Sequence, residues 1–282
     1  MSVHAGVGSC AGRDAAGSRR ADRCAGRGDG RSEQRVASVP DRVAALVPDR
    51  NGLLAAMPGF VPSAGVLMAK LVSLFPRNAG TALPTHQAVI VGFDCDTGEP
   101  VAVMDGTAIT AIRTGACSAL SARLLARSDA AVLAVLGSGV QARSHARAMC
   151  RVRPIRQVRI AGRDFAKATA LATELAEELP AEVVAVVSYP EALDGADIAC
   201  ATTHTVVPVV RREWLTPGVH ITSVGYNPAG REVDDATIAE ALVCVESRQA
   251  VLAPSPRAAT ICSNRSAMGS SPPPMCTLSS VS

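Results

Sequence analysis

A lysine stands inside the apolar run VLMAKLVSLF, residues 66–75, where an amine could do chemistry. This residue, Lys70, and Lys167 are the two lysines of a chain whose 28 basic residues are otherwise arginines. An unpaired ammonium among apolar side chains costs several kcal/mol or loses its proton. Lys70 could therefore hold an anion or donate a proton in a site, or it could reach from a strand to solvent.

A glycine-rich loop, GSGVQA at residues 137–142, follows the apolar run AAVLAVLG and precedes a predicted helix. In the pattern GxGxxA the first glycine permits a tight turn, the second lets a pyrophosphate approach the backbone, and alanine packs helix on strand. The helix N-terminus adds free N–H groups and a positive dipole. We expect a dinucleotide site formed by Gly137, Ser138, Gly139, Val140 and Gln141; the alternative is a tight turn that binds nothing.

The next strand ends in IAGRD and bears on the choice of cofactor. An NAD enzyme typically carries Asp or Glu at this strand tip, where it holds the ribose hydroxyls. Here Gly162 occupies the tip and Arg163 follows, and a guanidinium can pair with a 2′-phosphate. The sequence favours NADP(H), with NAD(H) also possible; alternatively, Arg163 stacks on adenine.

The order of predicted elements indicates an α/β fold. From residue 130 onward, apolar strands alternate with helices, which is typical of a doubly wound parallel sheet. The preceding segment predicts a hairpin around Asp96-Thr97-Gly98 and a helix over about 114–127. We expect a Rossmann-type sheet with a smaller α+β substrate and dimerisation domain; the expected boundaries are a head at 1–41, then 42–127, the dinucleotide-binding domain at 128–251, and a tail at 252–282.

Both ends lack the composition of a packed core. The head is rich in Gly and Arg and contains no Leu, Ile, Phe, Tyr or Trp, and the tail is rich in Ser and Pro. Such segments bury too little apolar surface to offset the loss of chain entropy. We expect both to be disordered.

Composition and charge argue against several classes of protein. A net charge of +3 is too small to indicate a nucleic-acid partner. The sequence predicts no membrane span and no secretion signal. The nine cysteines are scattered without CxxC spacing, so neither a disulfide scaffold nor a metal site is expected. These features favour a cytoplasmic protein with reduced thiols.

Other stretches, taken together with GSGVQA, are similar to one known family. AMPGF, AKLVSLFP and THQAV come first, followed by MDGTAITAIRTGACSAL. In this order, over about residues 42–251, they resemble the ornithine cyclodeaminase/mu-crystallin family. The resemblance implies a substrate and dimerisation domain beside a Rossmann domain, with the site in the cleft between them, and a homodimer.

The resemblance also implies which residues form the site. The carboxylate of a small imino or amino acid is expected at Arg42, Lys70 and Arg113, with Lys70 also catalytic as a proton donor or orienting cation. The segment THQA matches one that approaches the cofactor in the family, and SVG matches the strand end beside the nicotinamide. The residues so implied for cofactor binding are Thr85, His86, Arg113, Val224 and Gly225.

The implied activity is NAD(P)H-dependent reduction of a small imino acid (a ketimine), or the reverse dehydrogenation of an amino acid. One alternative is ornithine cyclodeaminase, a lyase in which the hydride is borrowed and returned. Cyclodeaminases of the family carry an aspartate base just after the VG strand end, where this sequence has Asn227, and an amide cannot accept a proton at neutral pH. A second alternative is a truncated, non-catalytic remnant or a small-ligand-binding protein.

The ends depart from the family pattern as well. The head replaces the family's N-terminal helical segment, and the pattern stops after ESRQAVLAPSP, so the dinucleotide-binding domain is expected to be incomplete. We interpret both ends as altered reading of a family gene, which the flanking DNA would test. His145, His204 and His220 are expected on helix or loop surfaces, and Asp234 and Asp235 at a helix start.

Overall fold

The computed structural model describes residues 37–225, 227 and 229–245, and the backbone of 260–264 and 276–277. The expectations for residues 1–36 and for the rest of the tail lie outside these described residues. Within them, the strands form two sheets, one of five strands and one of eight.

The five-stranded sheet is an antiparallel meander in chain order. Short 3-10 turns that begin with proline connect its first three pairs, because proline presets the backbone for a turn. The predicted hairpin is present, with Gly98 at φ 74° and the Asp94 carboxylate accepting from the Thr97 N–H at 2.8 Å. The strands are β1 (Val43–Val47), β2 (Gly52–Val61), β3 (Val66–Leu74), β4 (His86–Phe93) and β5 (Pro100–Asp105).

A helix, α1 (Gly106–Leu125), follows the sheet directly and packs on one of its faces. It begins earlier than the expected helix at 114–127, because Asp105 caps it by accepting from the N–H groups of Thr107 and Ala108. Gly106 fits closely under β4, since a Cβ there would lie 2.9 Å from the Ala88 carbonyl carbon. The sequence DGT therefore ends a strand and starts a helix within three residues.

The larger sheet contains five neighbouring parallel strands in the order β8-β7-β6-β9-β10. Counted along the chain, that order is 3-2-1-4-5, the arrangement of a doubly wound dinucleotide fold, and the predicted α/β fold class is confirmed. Its strands are β6 (Val132–Leu136), β7 (Gln157–Ala161), β8 (Glu182–Val186), β9 (Ile198–Ala201) and β10 (His220–Ser223), and its helices are α2 (Val140–Val152), α3 (Phe165–Ala176) and α4 (Tyr189–Leu193).

Three further strands extend this sheet beyond β10. After α5 (Asp235–Glu240) come β11 (Ala241–Val245), β12 (Thr260–Asn264) and β13 (Cys276–Thr277). The backbone of β12 lies between β10 and β11 and pairs antiparallel with both. β12 and β13 lie within residues 252–282, the tail whose composition predicts disorder. Composition did not indicate these strands, because strand pairing over so few residues leaves no mark on it.

The two sheets are joined mainly through α1 and α2. The Ser144 hydroxyl, on α2, donates to the Ala111 carbonyl of α1 at 2.6 Å. One turn later, a Cβ on Gly115 would lie 2.6 Å from the same hydroxyl, so the two helices approach as closely as glycine allows. Among the helices in the described part of the chain, none has both the length and the hydropathy to cross a bilayer.

Candidate functional site

Lys70 lies near the middle of β3 and faces helix α1. Its ammonium donates to the Thr110 hydroxyl at 2.6 Å, and that hydroxyl donates to the Gly106 carbonyl at 2.5 Å. The lysine is half-buried, so it does not simply reach into bulk solvent. Sequence reasoning missed Thr110, although its position three residues before Arg113 places both on one side of a helix.

Positive charge is concentrated around Lys70. Partial burial, followed by the nearby charges of Arg113 and then Arg42, together lower the pKa of its ammonium to about 8. Arg113 is half-buried on α1, and Arg42 is exposed just before β1. The structure thus brings together the three residues expected to hold a carboxylate, and a bound anion would favour the charged form of each.

His86 lies beside this group and Thr85 at its margin. Residues two apart on a strand share a face, so the pairing of Lys70 with Ile90 places His86 on the face of Lys70. Burial, and next the charge of Lys70, lower the pKa of His86. Thr85 is exposed, and its carbonyl accepts from the Phe75 N–H at 2.9 Å.

The glycine loop makes a tight turn at Gly137 and leaves Gly139 open. Gly137 has φ 120°, and a Cβ there would lie 2.8 Å from the Thr202 hydroxyl, so only glycine fits the turn. At Gly139 a Cβ would meet no atom within 4 Å, which leaves its backbone open to a ligand. Val140 begins α2 and is exposed, and Ser138 and Gln141 are half-buried beside it.

Arg163 does not belong to the group formed by Lys70, Arg113 and Arg42; it lies just after the tip of β7. It is exposed just after β7, and a Cβ on the preceding Gly162 would lie 3.4 Å from the Ser138 hydroxyl. The tips of β6 and β7 therefore meet, as they do where a dinucleotide ribose is held. The charge of Arg163 also acts on the Tyr189 hydroxyl.

Val224 and Gly225 follow β10 at the carboxyl edge of the same sheet. The Val224 N–H donates to the Ala201 carbonyl at 3.1 Å, and the Gly225 N–H donates to a Glu232 carboxylate oxygen at 2.7 Å. Glu232 is 2% exposed and was not identified from sequence. Nothing in GREVDD distinguishes this buried acid from its exposed neighbours.

Two histidines expected on surfaces are instead fully buried. His145 contacts the Ser118 hydroxyl at 2.9 Å and the Gln141 carbonyl at 2.7 Å, and His220 contacts the Ser121 hydroxyl at 3.1 Å. Both serines lie on α1, one turn apart, so the first pair ties α1 to α2 and the second ties it to β10. Burial lowers the pKa of His145 to about 4 and that of His220 to about 3.

The segment after Gly225 has its polar groups committed to turns and caps. The Asn227 amide donates to the His204 carbonyl at 3.2 Å, and its oxygen accepts from the Ala229 N–H at 3.0 Å. Asp234 caps α5 by accepting from the Thr237 N–H at 2.9 Å, as predicted. Asp235 opens the same helix, is exposed, and pairs with Arg231.

Comparison with known proteins supports the fold and shows the family. The model of the ornithine cyclodeaminase/mu-crystallin family matches residues 26–254. Ketimine reductase mu-crystallin of Mus musculus is 36% identical over 214 residues, which are 76% of this chain and 67% of that protein. Among solved structures, the Delta(1)-pyrroline-2-carboxylate reductase of Thermococcus litoralis, in complex with NADH and L-proline, is 35% identical with a TM-score of 0.80, over 83% of this chain and 73% of that one.

An archaeal alanine dehydrogenase dimer with bound NAD is also similar, at 28% identity and a TM-score of 0.76, over 83% of this chain and 71% of the other. The matched regions run through both sheets, and the family match covers most of the chain. The chain therefore belongs to the ornithine cyclodeaminase/mu-crystallin family.

Proposed function

We propose that the protein uses NAD(P)H to reduce a small imino acid, a ketimine, or runs the reverse dehydrogenation of an amino acid. The observation that carries this proposal is the half-buried Lys70, held to Thr110 beside Arg113 and Arg42. The named relatives include a ketimine reductase and a reductase of a cyclic imino acid, which supports the same reaction class.

The substrate carboxylate would bind to the cations of the smaller sheet. Guanidinium groups can hold a carboxylate through two parallel hydrogen bonds, which suits Arg42 and Arg113. Lys70 would add a third positive charge from β3. The ammonium of Lys70 has three N–H bonds, of which one donates to Thr110. The other two can donate to the substrate.

The cofactor would lie along the carboxyl edge of the larger sheet. Gly137 to Gln141 would hold the pyrophosphate at the start of α2, while Val224 and Gly225, with Thr85 and His86 opposite, would border the nicotinamide. The open backbone at Gly139 fits such a ligand. When bound, the reduced nicotinamide supplies the hydride.

Reduction of a C=N bond also requires a proton. As hydride adds to the imine carbon, the π electrons move to nitrogen, which takes one proton when the imine is neutral. An ammonium whose pKa is lowered to about 8 can donate near neutral pH, so Lys70 would supply this proton or, for an iminium substrate, orient it.

The lyase activity is the less favoured alternative. Cyclisation of ornithine with loss of ammonia would need a base where Asn227 stands. The NH₂ of this amide donates to the His204 carbonyl and its oxygen accepts from the Ala229 N–H. Assay of ornithine separates the two, because the lyase forms proline and ammonia without net change in the cofactor.

NADP(H) is the favoured cofactor. Arg163 is exposed at the tip of β7, where a 2′-phosphate would lie. An Arg163→Ala variant should lose affinity for NADPH while keeping that for NADH.

A second alternative is a non-catalytic small-ligand binder. Such a protein would bind cofactor or imino acid without turnover.

We also propose a homodimer formed through the face of the smaller sheet opposite α1. Val43, Ala45, Leu54, Ala56 and Leu71 line an apolar groove there. Leu54 is 48% exposed, although it is a large apolar residue inside a sheet. Exposed apolar patches of this kind mark interaction sites, and a similar archaeal structure is a dimer.

A reducing compartment such as the cytoplasm fits the thiols of Cys150, which is half-buried, and Cys200, which is buried. Burial raises the pKa of Cys150 to about 11 and that of Cys200 to about 12, so both stay protonated and unreactive.

The test is a turnover assay with purified protein, NADPH or NADH, and a panel of cyclic and linear imino acids, followed by the absorbance of the reduced nicotinamide. Lys70→Ala should abolish turnover. Lys167→Ala is the matched control, because it removes the other lysine, whose side chain is 74% exposed on α3. Wild-type protein without turnover on any substrate, or Lys70→Ala with unchanged turnover, would count against the proposal.

A further inference from the structure

Glu232 is a buried carboxylate at the edge of the larger sheet. It is 2% exposed, yet it accepts four hydrogen bonds. Oε1 accepts from the N–H and the hydroxyl of Thr203, both at 2.5 Å, and Oε2 accepts from the Ser223 hydroxyl at 2.8 Å and the Gly225 N–H at 2.7 Å. An ionised carboxylate only accepts, which matches four donors.

The two oxygens serve two different strand ends. Thr203 follows β9, whereas Ser223 ends β10 and Gly225 comes just after it. The carboxylate therefore bridges neighbouring parallel strands at their carboxyl ends, which is the edge where ligands bind in sheets of this kind. Loss of either oxygen as an acceptor would free one strand end from the carboxylate and leave the two ends joined only by their backbone pairing.

The backbone around this bridge is packed without room for side chains. A Cβ on Gly225 would lie 2.2 Å from the Thr203 carbonyl oxygen and 2.4 Å from the Glu232 carboxyl carbon. A Cβ on Gly230 would lie 2.1 Å from the Val206 carbonyl oxygen. Movement of the loop after β9, which contains Thr203 and Val206, would therefore displace Gly225 and Gly230 directly.

The phosphate loop also has support of its own, although Thr202 shares a peptide bond with Thr203. Thr202, which backs Gly137, is held to the Leu136 carbonyl on β6 by its N–H and by its hydroxyl, both at 2.9 Å. These bonds do not involve Glu232. A change at Glu232 should therefore act on the far end of the cofactor rather than on its pyrophosphate.

We propose that Glu232 is a positioning residue that fixes the ends of β9 and β10 together and so sets the surface on which the nicotinamide ring lies. The inference rests on the proposed function, which assigns Val224 and Gly225 to the nicotinamide. Glu232 itself is covered by Thr203 and Gly225 and acts through them. In Glu232→Gln one oxygen becomes an NH₂ group that points at a donor, so one of the two strand ends must shift.

The experiment compares two ligands on the wild type and on Glu232→Gln. One ligand is the reduced cofactor, and the other is its counterpart without the nicotinamide ring, ADP-ribose or 2′-phospho-ADP-ribose. Because a strand end that loses its charged acceptor shifts beneath the nicotinamide, affinity for the reduced cofactor should fall about tenfold or more. Affinity for the fragment should stay within about twofold, since the phosphate loop is unaffected.

Glu240→Gln is the matched control, since Glu240 is a half-exposed acid that pairs with Arg212 on the surface. This variant should bind both ligands as the wild type does. If Glu232→Gln fails to fold, Ser223→Ala removes one of the four donors and should give a smaller change in the same direction. Equal losses for both ligands, or no loss for either, would overturn the inference. Wild-type protein that binds both ligands without turnover would refute the proposed reaction but not the role of Glu232; wild-type protein that binds neither would refute both.

Discussion

The ammonium of Lys70 on β3 donates a hydrogen bond of 2.6 Å to the hydroxyl of Thr110 on helix α1. This contact sets the position of a half-buried cation between a sheet and the helix that also carries Arg113. Helix α1 packs on α2, and α2 begins at the glycine loop. Helix α1 therefore fixes the position of Lys70 and Arg113 relative to the glycine loop. The proposed reaction needs that relation, because hydride donor and acceptor must lie within contact distance.

Replacement of Thr110 by valine should reduce turnover without unfolding the protein. Valine keeps the shape but removes the acceptor for Lys70, so the ammonium loses its fixed position. A hydrogen bond to a charged group is worth about 1.5–3 kcal/mol, and kcat/KM should fall about tenfold or more. Thr114→Val is the control, because the Thr114 hydroxyl donates only to a carbonyl of its own helix. Equal effects of the two variants would refute a specific role for Thr110.

The pH dependence of kcat/KM should report the ammonium of Lys70. The pKa of this group is lowered to about 8 in the free protein, so the charged form is present below that pH and is lost above it. We expect kcat/KM to decrease above about pH 8, while kcat holds to higher pH because a bound carboxylate favours the ammonium. Lys70→Arg, which stays charged, should lose this decrease together with most proton-donating activity. A flat profile in the wild type would contradict the assignment.

Parts of the site could be predicted because their chemistry appears in short sequence patterns. The turn of the glycine loop is recognisable because no other residue fits at Gly137. Lys70 is conspicuous as an ammonium in an apolar strand. Asp234 was recognisable as a cap because capping is a local interaction. Such features depend on neighbours in sequence, which the pattern contains.

Other parts depend on distant contacts and could not be predicted. Glu232 looks like its acidic neighbours until Thr203 supplies donors from the loop after β9. His145 and His220 resemble surface histidines, and only the packing of α1 buries them against Ser118 and Ser121. Burial of a polar group is decided by tertiary structure, so these residues carry no signal of their own.

The two buried histidines should make the protein sensitive to acid. Their pKa values, about 4 for His145 and about 3 for His220, lie below the ordinary 6.5, so below pH 6.5 the unfolded chain binds more protons than the folded one. This contribution to stability is complete above pH 6.5 and is lost as pH falls towards 4 and then 3. Each histidine should lower the free energy of unfolding by up to about 1.4 kcal/mol per pH unit in its window.

Urea unfolding at a series of pH values measures this loss. His145→Gln should reduce the steepness of the decline, because glutamine does not titrate. His204→Gln is the control, since His204 is exposed in the loop after β9. A decline of the same steepness in all three proteins would show that other groups are responsible.

The two glycines of the phosphate loop should separate folding from cofactor binding. Gly137→Ala puts a side chain at φ 120° and against Thr202, so the free energy of unfolding should fall by about 1–3 kcal/mol. Gly139 has φ −96° and open space around it, so Gly139→Ala should fold with nearly unchanged stability. The same methyl group should nonetheless obstruct the pyrophosphate and weaken cofactor affinity. Urea unfolding and fluorescence titration measure the two effects, and tight cofactor binding by Gly139→Ala would contradict the assigned path of the phosphates.

A charge placed on the open face of the smaller sheet should prevent dimerisation. Leu54 lies in the apolar groove of β1 to β3, and a glutamate there would bury an unpaired charge in the proposed interface, at a cost of several kcal/mol. Leu54→Glu should therefore be monomeric in analytical ultracentrifugation at concentrations where the wild type is dimeric. Val187→Glu is the matched control, because Val187 is 73% exposed on the larger domain, away from this face. A monomeric wild type, or a Leu54→Glu variant that still dimerises, would show that the exposed face has another role.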